Sequence, residues 1–180
     1  MKKYLKITSL LVVIVLALTA LCSCKDKPEA PDGYKLVSDL DYVDYYLFVP
    51  NSWAVDDSSA MTCAYVSDED RTSVSVIQRN RMSNESDSLE VWYNDYYIPS
   101  LKDDLGGSIV EKSSEDVKLD GVDAKKHYID ITINGATYNF IVIVAYTNAS
   151  FYCVTYTSMG ELFEKNLETF NTILTEFKFD

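Results

Sequence analysis

With 180 residues, 28 acidic against 16 basic side chains and a formal net charge of −12, the chain is too acidic to hold nucleic acid or to cling to anionic lipid through a basic patch. Its single histidine and four cysteines show no zinc-type spacing, and neither a nucleophile elbow nor a phosphate loop occurs. Its size suits one domain.

The chain opens with Lys2, Lys3 and Lys6 and no acid, followed by an apolar run over residues 7–21. That run has the length of a signal-peptide core and is short for a membrane span. It ends in Leu21-Cys22-Ser23-Cys24, which resembles the bacterial lipobox, with Cys24 as the acylated residue. Residues 1–23 are thus expected to be a lipoprotein signal peptide, whose removal makes the chain three charges more acidic. Attachment then rests on acyl chains. Residues 24–33 carry Pro28 and Pro31 without apolar periodicity and read as a lipidated tether. Nine extended residues reach at most about 30 Å, so the domain, residues 34–180, is expected at the extracytoplasmic face of a bacterial cell membrane.

Residues 34–39 and 42–50 read as a short and a longer strand, the second closed by Pro50, which has no N–H for a ladder. Residues 61–66 and 73–79 are two more strands around an acidic loop. A helix follows, with Asp87 as N-cap and Glu90 three residues on. Leu89, Val91, Trp92, Tyr93, Tyr96, Tyr97, Ile98, Leu101 and Leu105 give it a broad apolar side; Pro99 is expected to kink or end it, and Gly106-Gly107 to stop it. Residues 109–119 form a strand, and Asp120-Gly121 turns it into a meander over residues 124–157.

The meander carries the strongest folding signal. Asn134-Gly135 favours a two-residue turn with both residues at positive φ, placing Ile133 opposite Ala136, Ile131 opposite Tyr138 and Ile129 opposite Phe140. Residues 140–145 are then apolar without interruption, the mark of a strand buried on both faces. After a turn at Thr147-Asn148, Phe151 and Cys153 return on the Phe140 side, with Tyr152, Val154 and Tyr156 on the other. Ser158 and Glu161 read as a capping box for a last helix, whose Leu162, Phe163, Leu167, Phe170, Ile173, Leu174 and Phe177 share one side. A sheet buried on both faces with two amphipathic helices is an α+β fold: an antiparallel β-sheet with a helix on each face, an α/β/α sandwich.

Phe48-Val49-Pro50 followed by Trp53, Val117-x-Leu119-Asp120-Gly121 with Ala124, and Phe170-x-x-Ile173-x-x-x-Phe177-x-Phe179 resemble the PsbP-like domains over residues 34–180, with Ser52 where that family often has glycine. The family includes a photosystem II extrinsic protein, a Ran-binding import factor and many bacterial lipoproteins. The resemblance implies the fold and a lipoprotein setting. It does not bring over water oxidation, whose metal sites use more histidine than this chain has, nor Ran binding, out of reach for a secreted lipoprotein.

His127 is the sole candidate for a Ser-His-Asp arrangement and stands at a strand end with the parity of Ile129, a position of a packed or surface residue. The carboxylates are too many to single out a glycosidase pair. Asp56 and Asp57, and Asp68, Glu69 and Asp70, are candidate Ca²⁺ ligands without EF-hand spacing. Trp92, Tyr93, Tyr96 and Tyr97 cover more circumference than one buried stripe needs, so part of the group is a candidate contact surface for an envelope protein or glycan, against filling of one sheet face. Cys63 and Cys153 are candidates for a disulfide, closing a loop of about 90 residues at several kcal/mol, against two buried thiols. The reading is a non-enzymatic binding or accessory module needing no cofactor, with the membrane as one partner through its lipid. The alternative is a small-ligand or Ca²⁺ carrier with a pocket between helix and sheet.

Overall fold

The computed structural model describes residues 28–38, 41–56, 61–82 and 88–180. The expected leader, Cys24, Asp57 and Asp87 lie outside the described residues. The main sheet has seven strands in the order β4 (Ala54–Asp56), β5 (Thr62–Tyr65), β6 (Ser73–Asn80), β10 (Ser150–Ser158), β9 (Ala136–Tyr146), β8 (Val122–Ile133) and β7 (Ser108–Leu119), all paired antiparallel. Two small ladders flank it: β1 (Tyr34–Leu36) with β3 (Phe48–Pro50), and β2 (Tyr45–Tyr46) with the C-terminal β11 (Lys178–Phe179).

The meander takes the expected register. Ile133 faces Ala136, Ile131 faces Tyr138 and Ile129 faces Phe140, because Asn134 and Gly135 adopt φ of 52° and 83° and their twist matches that of the strands they join. Asp120 and Gly121 do the same before β8.

The chain order explains the helices. β6 lies third in the sheet and β7 last, so the connection between them must cross the faces of β10, β9 and β8. That connection is the first helical stretch, residues 89–105: α1 (Leu89–Trp92), a π-helical turn (Tyr93–Tyr97) and α2 (Ile98–Leu105). Its aromatic residues Trp92, Tyr93 and Tyr97 pack on Ile129, Ile131, Phe140, Val142, Val144, Phe151 and Cys153. On the opposite face α3 (Glu161–Glu176) and the first strands bury Tyr45, Leu47, Val49, Phe170, Ile173 and Phe177 against Ile141, Ile143, Tyr152, Val154 and Tyr156. Residues 140–145 are buried throughout, as a middle strand clamped between two apolar layers must be.

Several local expectations are corrected. Residues 42–50 form two short strands, because Leu47 leaves the ladder to bond Ser38 and Val37: its N–H donates to Ser38 Oγ and its carbonyl accepts from Val37. The first helix is capped by Ser88, whose hydroxyl accepts from the Val91 N–H. Pro99 does not end this helix: it sits at the start of α2, where its missing N–H falls in the register change made by the π-helical turn. Gly106, at φ 62°, closes α2 in a left-handed cap, and a Cβ on Gly107 would come within 2.6 Å of the Thr132 carbonyl oxygen. The capping box on α3 does not form. Gly160 is its N-cap, and the Ser158 hydroxyl instead bonds Thr72 Oγ1 at 2.6 Å.

Candidate functional site

The aromatic side of the first helix is core. Trp92, Tyr93 and Tyr97 are buried, so the contact-surface reading is corrected for these three; Tyr96 alone of the group is exposed, at 53 %. Tyr93 and Tyr97, four residues apart, share one helix face, and the π-helical turn brings Trp92 and Tyr97, five residues apart, onto the same side, their rings stacked at 5.7 Å. Trp92 stacks on Phe151 at 5.3 Å between centroids, and the Tyr97 hydroxyl bonds Thr155 Oγ1 at 3.2 Å.

His127 lies inside this layer, not at its margin. It is 3 % exposed, its ring lies on that of Tyr93 at 3.5 Å and 9°, and Nδ1 bonds Glu111 Oε1 across the β7–β8 ladder at 2.9 Å. Burial holds its pKa below the ordinary histidine value, with Glu111 pulling the other way. The neutral ring therefore donates through Nδ1, and Nε2, like the Tyr93 hydroxyl and the Trp92 indole N–H, has no protein partner. Burial raises the Tyr93 hydroxyl far above the usual phenol range, with the charges of Glu111 and Cys153 adding to it. Among the described residues no nucleophile bonds His127.

The acidic loop between β5 and β6 is a structural brace. Asp70 is buried and accepts from the Thr72 N–H at 3.1 Å, from Asn166 Nδ2 at 3.1 Å and from Lys165 Nζ at 3.5 Å. Burial raises its carboxyl pKa, but these hydrogen bonds outweigh burial and leave it below the usual carboxylate range. Asp68 pairs with Arg71, and Glu69 accepts from the Ser67 hydroxyl. Asp56 is on β4 opposite Cys63, remote in the sheet from this loop. Among the described residues no group of three or more His, Cys, Asp or Glu side chains is arranged to hold a metal ion.

The disulfide is corrected: Cys63 and Cys153 are both free thiols. They sit on β5 and β10 with β6 between them, Cys63 beside Ser75 and Cys153 beside Ile77. Two strand spacings alone separate their Cα atoms by roughly 9 to 10 Å, and the two-residue offset along β6 adds to that, beyond the reach of an S–S bond. Burial pushes the Cys153 thiol up to about 11.

The layer under the first helix is filled by aromatic rings. Beside the start of α3, a cavity of about 280 Å³ is lined by Phe163, Tyr128, Asp130, Asn139 and Lys112, below the usual size of a small-molecule site. A larger groove of about 700 Å³ runs along β6. Tyr42, Val43, Tyr45 and Met61 form one wall, and Val76, Ile77, Gln78, Arg79 and Asn80 the other. Sequence reasoning missed this groove. Among the described residues no helix is long and apolar enough to cross a membrane.

No family model and no curated protein matches the chain. Solved structures do. The solution structure of cyanobacterial PsbP (CyanoP) from Synechocystis is similar at a TM-score of 0.64 and 15 % identity, over 89 % of this chain and 99 % of that one. LpqN of Mycobacterium tuberculosis, involved in cell envelope biogenesis, is similar at 0.58 and 12 %, over 81 % and 89 %. The Saccharomyces cerevisiae Ran-binding protein Mog1p is similar at 0.55 and 12 %, over 81 % and 95 %. The chain has the PsbP-like fold, an antiparallel sheet between two helical layers.

Proposed function

We propose that the chain is a lipoprotein held through Cys24 at the extracytoplasmic face of a bacterial membrane, and that its PsbP-like domain is a non-enzymatic binding or accessory module. The observation that carries the second half is the use of its reactive groups in packing. The sole histidine is sealed between Tyr93 and β7, and the best-placed carboxylate, Asp70, is bonded into the seam between the β5–β6 loop and α3. Residues so committed serve stability rather than proton transfer. The anchor rests on the apolar run and the lipobox-like Leu21-Cys22-Ser23-Cys24. The PsbP-like fold is also that of a protein of cell envelope biogenesis and of a Ran-binding protein, which supports a scaffold used for association.

Labelled palmitate fed to expressing cells tests the anchor: Cys24→Ala should abolish incorporation and Cys22→Ala should not. Affinity isolation from native envelope with the anchor intact tests the module, and recovery of no specific partner would count against it.

A further inference from the structure

A bulge in β7 gathers a polar cluster on the α3 face of the sheet. Glu111 pairs with Ile129 and Ser113 with Tyr128, so Lys112 is the extra residue between them. In a regular strand Lys112 and Ser113 would point to opposite faces. The bulge re-aims the chain, and both residues line the cavity of about 280 Å³ beside the start of α3. All the walls of this cavity are described residues.

Asp130 is the centre of the cluster. Lys112 Nζ lies 2.8 Å from its Oδ2, and Asn139 Nδ2 donates to its Oδ1 at 2.9 Å. Lys112 foremost, with Asn139, holds the Asp130 carboxyl below the usual carboxylate range against the opposing effect of burial. The Asp130 side chain is 24 % exposed and that of Lys112, at the rim, 56 %, so both can meet a ligand. A carboxylate has about four lone-pair sites and an ammonium about three donors; the pair has hydrogen-bonding capacity to spare. The aromatic walls are fixed as well. The Tyr156 hydroxyl donates to the Phe163 carbonyl at 2.7 Å, and the Tyr128 hydroxyl donates to Glu115 Oε1 at 3.1 Å.

We infer that this cavity binds one pyranose ring of a neutral glycan. Two adjacent ring hydroxyls donate to the Asp130 carboxylate and accept from Lys112 and the Asn139 amide, while the C–H face of the ring lies against Phe163. The Lys112–Asp130 pair selects the class of ligand. An anion would have to draw Lys112 from its partner in a chain of net charge −12, and a cation would have to displace Lys112 from Asp130. A hydroxyl does neither, since it both donates and accepts. Neighbouring hydroxyls also present the side-by-side donors that a carboxylate takes two at a time. The aromatic wall completes the pattern, because the negative face of a ring attracts polarised C–H bonds. A volume below that of drug-sized sites admits one ring, with its neighbours in solvent. This rests on the reading of the domain as a binding module and names the ligand class of one site on it.

The test uses the full lipidated chain in nanodiscs, followed by amide NMR. The probes are methyl glycosides and short oligomers of glucose, galactose, mannose and N-acetylglucosamine, and, in a second arm, the same sugars as glycolipid headgroups in the nanodisc. At least one probe should shift the Ser113, Asp130, Asn139 and Phe163 amides saturably. Binding in either arm supports the site, and binding of headgroups alone makes the source a lipid. Asp130→Asn, which keeps the shape, should weaken binding about tenfold or more. Phe163→Leu, which keeps an apolar side chain on α3, should weaken it about fivefold. Should Asp130→Asn fail to fold, Lys112→Met at the exposed rim tests the same hydrogen bonds. Shifts confined to other amides, undiminished binding by the variants, a stronger response to amino acids or uronic acids than to neutral glycosides, or no response to any probe overturns the inference. A protein partner recovered from native envelope by both variants would then leave the module reading intact; no partner and no sugar would sink both.

Discussion

Two buried ionisable residues respond to acid in separate windows. Above about pH 6.5, the ordinary histidine value, His127 is neutral in the folded and unfolded chain and contributes nothing to pH dependence. As pH falls below that value the unfolded chain takes up a proton that the folded chain resists, because the buried ring with its unpartnered Nε2 favours the neutral form. Stability therefore declines as pH falls from about 6.5 toward the lowered folded pKa. Glu111 on β7 and Glu90 on the first helix soften the decline, and Lys125 on β8 sharpens it. Asp70 acts later. Its depressed carboxyl pKa gives stability that is whole above about pH 4 and is lost as pH falls through the folded value. Urea unfolding from pH 8 to pH 3 should show both limbs. In His127→Phe, which keeps the ring on Tyr93, the upper limb should vanish and the lower one remain; an unchanged upper limb would assign it elsewhere.

At the scale of elements, each helix is held by a different chemistry. The first is held by rings. Trp92→Ala should cost about 3 to 5 kcal/mol by opening a cavity against Phe151, whereas Tyr96→Ala should cost less than about 1 kcal/mol, since its ring is exposed with Arg79 6.0 Å from its centroid. Chemical denaturation of the two variants separates them, and a similar loss in both would contradict this division. The last helix adds a polar lock. Asp70→Ala strands the Thr72 N–H and removes one acceptor from the Asn166 amide, which keeps the Leu162 carbonyl and Thr72 Oγ1, and should cost about 2 kcal/mol; a double-mutant cycle with Asn166→Ala should return a coupling of about 1 kcal/mol or more. How far these elements were legible follows from their physics. The meander could be read because Asn134-Gly135 sets a register and the run from Phe140 to Ala145 demands two covers, both local signals. The caps were misplaced by a residue or two because Ser158 and Asp87 have the right chemistry, while the positions used, Gly160 and Ser88, depend on where the chain leaves the sheet. The aromatic group misled because a regular helix turns Trp92 and Tyr97 well apart, whereas the π-helical turn brings these two, five residues apart, onto the same buried face. The groove was out of reach, because it exists only once β5 and β6 are laid side by side.

For the whole molecule, the two cysteines test whether the layers open together. With β6 between them, no disulfide joins Cys63 to Cys153, so the melting temperature of the domain should be the same with and without reductant. A 90-residue bridge of about 4 kcal/mol would instead shift it by roughly 10 °C. The thiols should also differ in labelling. Cys63 is half-buried and should react with a small electrophile in the native protein. Cys153 is sealed beneath the first helix, its thiol held up at about 11, and reacts only through an opening. If the two faces of the sheet stand or fall as one unit, Cys153 labelling should rise with urea along the slope of global unfolding. A slope near zero would mean that the first helix lifts alone, leaving β10 and α3 in place. The two cores share β8, β9 and β10, and a strand buried on both faces cannot lose one cover without wetting residues such as Val142 and Val144; the steep slope is the expected result.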